Sequence, residues 1–288
     1  MTRETDFEDI NEAKANLDHI YNQADPRAYF RELKKLDYAI PEVAKPIFQK
    51  LIGALQKRRA NTIQVLDLGC SYGINAALLK HDLSMDELYD HWGEKDLSDV
   101  TSDAIIARDQ RYFADLDEPN IDVVGLDVAP NAISYGEEVG LLDETITANL
   151  ETDSLSAGAK EDLASVDLVT STGCVGYVTE KSFDRLLPAM KTGQMPWFAN
   201  FVCRMFPFDA IEASLDDWGY VTEKLENRTF LQRRFASDQE LEQVIGQLRD
   251  QGVDPTGLEG EGDLLAEFYL SRPKADAAAV PIEQLLAA

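Results

Sequence analysis

Short apolar runs alternate with helical patterns over most of the chain. The first run occupies residues 63–68, and a glycine-containing turn and an Ala- and Leu-rich segment follow it at residues 69–79. A short apolar run bounded by glycine is typical of a buried strand, and an Ala/Leu-rich segment favours a helix. The pattern therefore predicts a strand, a tight turn and a helix, which is how a βαβ unit begins.

Further apolar segments recur at intervals that leave room for helices between them. They predict strands at residues 121–127, 146–150, 167–172, 195–206, 220–222, 228–235 and 264–270. A helical pattern at residues 238–251 ends at Gly252, a common residue after the last turn of a helix. Strands that alternate with helices indicate an α/β fold with a mainly parallel sheet.

Three segments lie outside this alternation. Residues 1–60 precede the first strand and carry three helical patterns. Residues 81–120 separate the first helix from the next strand, and they are helical and acidic in composition. The aromatic residues Trp92, Tyr112 and Phe113 of this segment are expected to pack in the interior. Residues 273–288 are rich in alanine and predict a flexible tail.

The composition is strongly acidic, with a net charge of −26 from 53 acidic and 27 basic residues. Nucleic acids and anionic membranes both require a basic patch, so neither is expected as a partner. An acidic surface suits a source with high salt, where screening weakens self-repulsion, or an ordinary acidic cytosolic protein. The sequence leaves these two explanations open.

The cysteines and the N-terminus indicate the compartment. Cys70, Cys174 and Cys203 form no Cys-x-x-Cys pair, which indicates a reduced protein without disulfides or structural zinc. The acidic N-terminus is unlike a signal peptide, and no apolar run approaches the ~20 residues that span a bilayer. We expect a cytoplasmic protein, a monomer or homodimer, with no bound metal.

The turn after the first strand carries the most specific signal. Residues 67–73 read Asp-Leu-Gly-Cys-Ser-Tyr-Gly. A dinucleotide fold uses three glycines to bring a pyrophosphate onto the helix N-terminus, whereas only Gly69 and Gly73 are present here. Asp67 would repel a pyrophosphate and attract a cation. The segment closely resembles the first motif of the class I S-adenosylmethionine-dependent methyltransferases, which usually have a third glycine where Ser71 stands.

The resemblance covers residues 63–272 and implies a fold. The implied class is α/β, with a Rossmann-like, mostly parallel seven-stranded sheet between helices. An acid normally follows the glycine turn by about 20 residues, but here Asp127 comes 54 residues after Gly73. We therefore expect a helical insert at about 81–120 within a domain of residues 61–272. By the same resemblance, residues 1–60 form an N-terminal helical lid.

The resemblance also implies S-adenosyl-L-methionine as cofactor and S-adenosyl-L-homocysteine as product. Asp127 matches the acid that bonds both ribose hydroxyls, a role that suits two carboxylate oxygens. Asn149 matches the position that contacts the adenine amino group. The cofactor positions implied by the motifs are Asp67, Gly69, Cys70, Ser71, Gly73, Asp127, Val128, Asn149, Leu150, Ser171 and Thr172.

The acceptor is less well determined. A base is needed only where the acceptor must lose a proton, and no His–Asp pair follows the fourth or fifth strand. This favours a small-molecule amine, thiol or thioether, and we assign no catalytic residue. Substrate contacts are expected from Tyr21, Tyr29, Tyr72, Tyr177 and Arg204. Core packing of the tyrosines and a salt bridge at Arg204, in place of a substrate carboxylate, are the alternatives.

Three other functions stay open at this point. One is an O-methyltransferase of a small metabolite, and a second is a non-catalytic scaffold that only binds S-adenosylmethionine. The third is an NAD-linked oxidoreductase, which Asp67 and the missing third glycine disfavour.

Overall fold

A mixed β-sheet forms the centre of the fold. The structure, a computed structural model, describes residues 17–59, 62–93, 95–116, 120–190 and 194–287. Residues 1–16, which hold most of the first helical pattern, lie outside these ranges. The strands are β1 (Ile63–Leu68), β2 (Ile121–Asp127), β3 (Glu144–Thr147), β4 (Leu168–Thr172), β5 (Trp197–Cys203), β6 (Tyr220–Lys224), β7 (Phe230–Arg234) and β8 (Asp263–Pro273).

The strand order is β3-β2-β1-β4-β5-β8-β6, and β7 also pairs with β8. Strands β1 to β5 are parallel, whereas β8 is antiparallel to its neighbours. Strands β6 and β7 lie one after the other along the same edge of β8, since Lys224 pairs with Tyr269 and Phe230 pairs with Ala266. Eight strand segments therefore fill the seven positions expected from the sequence.

Helices cover both faces of the sheet. They are α1 (Asp18–Tyr21), α2 (Arg27–Lys34), α3 (Ile40–Gln56), α4 (Ile74–Lys80), α5 (Met85–Gly93), α6 (Ser102–Ala114), α7 (Pro130–Glu138), α8 (Ala157–Leu163), α9 (Glu180–Met190), α10 (Asp209–Asp217), α11 (Asp238–Asp250), α12 (Lys274–Ala279) and α13 (Ile282–Ala287). Short 3-10 turns occur at Lys95–Leu97 and Glu259–Glu261.

Each face of the sheet has its own hydrophobic core. Val65 packs with the N-terminal helices on one face, and the next residue, Leu66, packs with α8 to α11 on the other. Successive side chains of a strand point to opposite faces, so a strand covered on both sides needs apolar residues at nearly every position. This requirement explains the continuous apolar runs that predicted the strands.

The helical insert packs against the N-terminal helices. Phe30 of α2 stacks on Trp92 of α5, with ring centroids 4.4 Å apart. The carboxylate of Asp109 on α6 is fully buried, and it accepts hydrogen bonds from Trp92 Nε1 (2.8 Å) and the hydroxyl of Tyr135 on α7 (2.6 Å). The insert is thereby attached to the sheet through α7. Trp92 and Phe113 are buried, as predicted, and Tyr112 is partly buried against the same core.

The C-terminal segment differs from the predicted flexible tail. Residues 274–287 form α12 and α13, and Ile282 is buried against the core that contains α3. Alanine and leucine favour helix, and the apolar side of α13 then has a surface to cover.

Within the described ranges, no helix combines the length and apolar character needed to cross a membrane. No set of three or more His, Cys, Asp or Glu side chains in the same ranges is arranged to hold a metal ion.

The high negative charge leads to a prediction about stability. The melting temperature is expected to rise with added potassium chloride up to at least molar concentration, because repulsion from a net charge of −26 is screened within ~3 Å at 1 M. Thermal unfolding monitored by circular dichroism measures this. Sodium chloride should have the same effect, since screening depends on ionic strength. A melting temperature that falls steadily with salt would contradict the prediction.

Candidate functional site

A cavity of about 420 Å³ opens at the carboxyl ends of the parallel strands. Gly69 follows β1, Asp127 ends β2, Asn149 follows β3 and Thr172 ends β4, and all four line the cavity. The chain order of the strands reverses between β1 and β4. In open α/β sheets, ligands bind in the crevice at this topological switch point. The cavity also has a size typical of small-molecule sites.

The glycine turn lies at the floor of the cavity. Gly69, Ser71 and Gly73 have φ values of +75°, +50° and +81°. Ser71 thus adopts the left-handed conformation that glycine usually supplies, and its backbone N–H donates to Asp127 Oδ2 (2.9 Å). A Cβ on Gly69 would lie 2.8 Å from the Cβ of Cys174, so this position excludes any side chain. The missing third glycine therefore leaves the turn geometry intact.

Asp127 links β2 to the glycine turn. Its Oδ2 accepts from Ser71, and its Oδ1 accepts from the backbone N–H of Ala129 (3.0 Å). Burial raises the pKa of this carboxyl group. A carboxylate oxygen has more than one acceptor site, so each oxygen can accept a further hydrogen bond from a ligand in the cavity.

Asp67 lies beneath the turn and does not line the cavity. It is 1% exposed, and its Oδ1 accepts from Asn75 Nδ2 (2.9 Å). No donor among the described residues reaches its Oδ2. Burial and the nearby charge of Asp127 raise the pKa of Asp67 to about 7. A positive charge bound above the turn would favour the ionised form.

The turns after β2 and β3 form one wall. Val128 follows β2 and Asn149 follows β3; both are exposed and line the cavity, as does Leu150. Glu151 fixes this wall, because its carboxylate accepts from the hydroxyls of Thr179 (2.7 Å) and Ser182 (2.6 Å).

The N-terminal helices and their connections form another wall. Tyr21, Tyr29 and Tyr38 line the cavity, as does Asn22. The side chain of Asn22 accepts from the backbone N–H of Asn131 at the start of α7 (2.9 Å). This hydrogen bond connects the N-terminal segment to the turn that follows β2.

Tyr72 has a different place from the one predicted. It is buried and does not line the cavity. Its hydroxyl donates to the carbonyl of Ile20 (2.9 Å) and accepts from the backbone N–H of Gln23 (2.7 Å). Because it lies on the side of the turn away from the cavity, Tyr72 holds the N-terminal segment in position and is not placed to contact a ligand.

Arg204 also lies away from the cavity. Its Nη1 pairs with Glu259, and its Nε lies 3.5 Å from a carboxylate oxygen of Glu267. The guanidinium group thus forms the salt bridge that the sequence allowed as an alternative. This placement gives no support to a substrate carboxylate at Arg204.

The other predicted positions fall into two groups. Within the cavity lining are Gly69, Cys70, Ser71, Asp127, Val128, Asn149, Leu150, Thr172, Tyr21, Tyr29 and Tyr177. Behind the lining are Asp67, Gly73 and Ser171. Ser171 is fully buried, and its hydroxyl donates to Asn200 Oδ1 (2.8 Å). The next residue, Thr172, lines the cavity in its place.

Two further lining residues were not among the predicted site residues. Gln232 and Arg233 come from β7. Arg233 is buried, and its guanidinium group bonds both carboxylate oxygens of Glu240 (2.5 and 3.0 Å). No donor among the described residues reaches Gln232 Oε1. Pairing of β7 with β8 brings both residues to the cavity, and this contact is not local in sequence.

This protein is similar to known proteins in its structure. No family model matches the chain, and no curated protein matches it. The structure is similar to that of the plantazolicin methyltransferase BpumL in complex with SAH, at 12% identity over 93% of this chain and 98% of that chain, with a TM-score of 0.46.

Two further solved structures are similar. One is magnesium protoporphyrin IX methyltransferase (ChlM) from Synechocystis PCC 6803 with bound SAM, at 10% identity over 94% of this chain and 92% of that one, TM-score 0.41. The other is precorrin-6y C5,15-methyltransferase from Geobacter metallireducens GS-15, at 11% identity over 92% and 95%, TM-score 0.37. At these identities the likeness concerns the fold alone. The Rossmann-like α/β fold predicted from the sequence is confirmed by the strand order and directions.

Proposed function

We propose that the protein transfers a methyl group from S-adenosyl-L-methionine to a small-molecule amine, thiol or thioether. The observation that carries this proposal is the position of Asp127. Its carboxylate lies at the end of β2, is bonded to the glycine turn, and lines a cavity of about 420 Å³. An acid at this place can accept from two adjacent ribose hydroxyls.

The other lining residues suit the remaining parts of the cofactor. The backbone at Gly69 carries no side chain toward Cys174 and can approach a ligand closely. Val128 supplies an apolar surface for the adenine ring, and Asn149 lies beside it as a hydrogen-bonding group. The carboxylates of Asp67 and Asp127 favour a ligand that carries positive charge. When bound, the cofactor supplies the methyl group on a sulfonium.

The walls of the cavity support a mechanism in which the protein positions the acceptor next to the methyl group. The N-terminal segment is held over the site through Tyr72 and Asn22, which restricts the entry of water. Methyl transfer requires the acceptor atom about 3–3.5 Å from the methyl carbon and in line with the bond that breaks. We further infer that the lid of residues 1–60, the cytoplasmic location and a monomeric or homodimeric state hold as the sequence predicts.

Calorimetry with three ligands tests the proposal. S-adenosylmethionine and S-adenosylhomocysteine are expected to bind, whereas NAD is not, because its pyrophosphate would meet the carboxylates at the turn. Binding of NAD alone would overturn the proposal.

A second assay separates an enzyme from a binding scaffold. Labelled S-adenosylmethionine is incubated with the protein and fractionated cell extract, and label is expected in small molecules. Label found only in protein or RNA would overturn the small-molecule acceptor, and binding of the cofactor without any transfer would indicate a scaffold.

A further inference from the structure

We propose that the acceptor is an amine whose nitrogen binds against the tyrosine cluster, defined as Tyr21, Tyr29 and Tyr38. This inference rests on the proposed function and narrows its acceptor from three chemical classes to one. It rests on the geometry of these rings and on the charges around the cavity.

The tyrosine cluster brings three aromatic rings to one part of the cavity. The ring centroid of Tyr29 lies 5.6 Å from that of Tyr21 and 6.1 Å from that of Tyr38, with interplanar angles of 80° and 85°. Perpendicular contacts at these distances are normal for packed aromatic rings. Because the three rings also line the cavity, their negative faces can attract an alkylated ammonium group, as in aromatic cages. An amine nitrogen with its alkyl substituents is a ligand of this kind.

The charges around the cavity favour the same ligand. Among the described lining residues, Arg233 carries the positive charge, and Glu240 neutralises it through two hydrogen bonds. Asp127 and Glu151 contribute negative charge. Among the described lining residues a substrate carboxylate would find no unpaired cationic side chain, whereas a cation would be attracted. A thioether is neutral before transfer, so its binding would gain nothing from this charge.

The hydroxyl groups of the cluster do not act as bases. Burial raises the pKa of both Tyr29 and Tyr38, so these groups stay protonated at neutral pH. They can accept hydrogen bonds from an ammonium group, but they cannot remove the proton of an alcohol. An amine needs no such base, because its neutral form has a lone pair.

The reaction balances without any further reactant. An ammonium substrate beside the sulfonium releases one proton to solvent, because a neighbouring positive charge lowers its pKa. The nitrogen lone pair then forms the new bond to the methyl carbon, and the carbon–sulfur bond breaks with its electron pair passing to sulfur. The product is a methylated ammonium ion, which the cluster can hold, and neutral S-adenosylhomocysteine.

A matched pair of probes tests the cluster directly. Choline and its uncharged isostere 3,3-dimethylbutan-1-ol differ in the charged nitrogen, and each is titrated into protein saturated with S-adenosylhomocysteine. Choline is expected to bind about 5- to 30-fold more tightly. Equal affinities, or tighter binding of the alcohol, would overturn the inference. Failure of S-adenosylhomocysteine itself to bind would instead overturn the proposed function.

Two variants assign the effect to the ring. Tyr21→Leu is expected to reduce the preference for choline to less than twofold, while Tyr21→Phe keeps the ring face and should retain it. Thermal unfolding followed by circular dichroism verifies that both variants fold. An undiminished preference in Tyr21→Leu would overturn the role of the cluster.

Turnover gives a second measurement. Phenethylamine, 2-phenylethanethiol, methyl phenethyl sulfide and 2-phenylethanol are each incubated with labelled S-adenosylmethionine and the protein. Label on nitrogen alone is expected, and label on sulfur or oxygen alone would overturn the inference.

Discussion

Replacing Asp127 with alanine is expected to weaken the binding of S-adenosylhomocysteine by about 2–4 kcal/mol, or roughly 30- to 1,000-fold in affinity. The variant removes the acceptors for two ribose hydroxyls. It also leaves the backbone N–H groups of Ser71 and Ala129 without their present partner, which loosens the turn. Isothermal titration calorimetry at pH 8, an alkaline pH that favours the ionised carboxylate, measures the change.

A control for this variant lies in the same strand. Asp122 is exposed, at the other end of β2, and Asp122→Ala should leave the affinity unchanged. Asp127→Asn, which retains one acceptor oxygen, should give an intermediate loss. If Asp127→Ala binds as tightly as the unchanged protein, the assignment of the ribose site is wrong.

Replacing Asp67 with asparagine is expected to raise the free energy of unfolding of the unliganded protein at pH 8. The change in this free energy should be roughly 2–4 kcal/mol more favourable at pH 8 than near pH 4. The pKa of Asp67 is raised from 3.8 to about 7. Below pH 3.8 the folded and unfolded states are both protonated, so no penalty exists there. As the pH rises toward 7, the unfolded chain loses this proton more readily than the folded protein, and folding stability falls. Asparagine does not titrate and avoids this loss.

Urea unfolding at pH 4 and pH 8 measures the effect. The gain from Asp67→Asn should be larger at pH 8, whereas Asp122→Asn, at an exposed position, should show no such dependence. An equal gain at both pH values would show that Asp67 does not titrate in this range.

The same variant has an opposite effect on ligand binding. Asp67→Asn should weaken the binding of S-adenosylmethionine more than that of S-adenosylhomocysteine, because only the former carries a sulfonium charge. A buried carboxylate with an unpaired oxygen lowers the stability of the empty protein, and a cationic ligand would compensate for that cost. Asp67 is thus expected to increase the affinity for the cationic cofactor while it lowers the stability of the empty protein.

Short sequence motifs were sufficient to predict which residues form the floor of the cavity. Residues 67–73 form one strand end and one turn, so their spacing alone determines their relative positions. Asp127 ends the neighbouring parallel strand, and the ends of parallel strands meet at one edge of a sheet. The departure at Ser71 was visible in the sequence, but its left-handed backbone was not, because a serine rarely adopts that conformation.

The side chains of Tyr72 and Arg204 show the limits of the same reasoning. Both lie in or next to segments that form the site, yet one is directed toward the N-terminal segment and the other toward Glu259. Their partners are distant in the chain, and no local pattern identifies a partner at such a distance. The two helices that replace the expected tail have the same explanation, since α13 is covered only once α3 is in place.

The sequence by itself determined the order of strands and helices, the glycine turn and the acid at the end of β2, because each depends on neighbours within a few residues. Only the tertiary structure placed Gln232 and Arg233 beside the tyrosine cluster and neutralised Arg233 with Glu240. That arrangement requires β7 to pair with β8 and the N-terminal helices to pack over the strand ends. Such contacts join segments far apart in the chain, and they form only when burial of both faces of the sheet fixes the register.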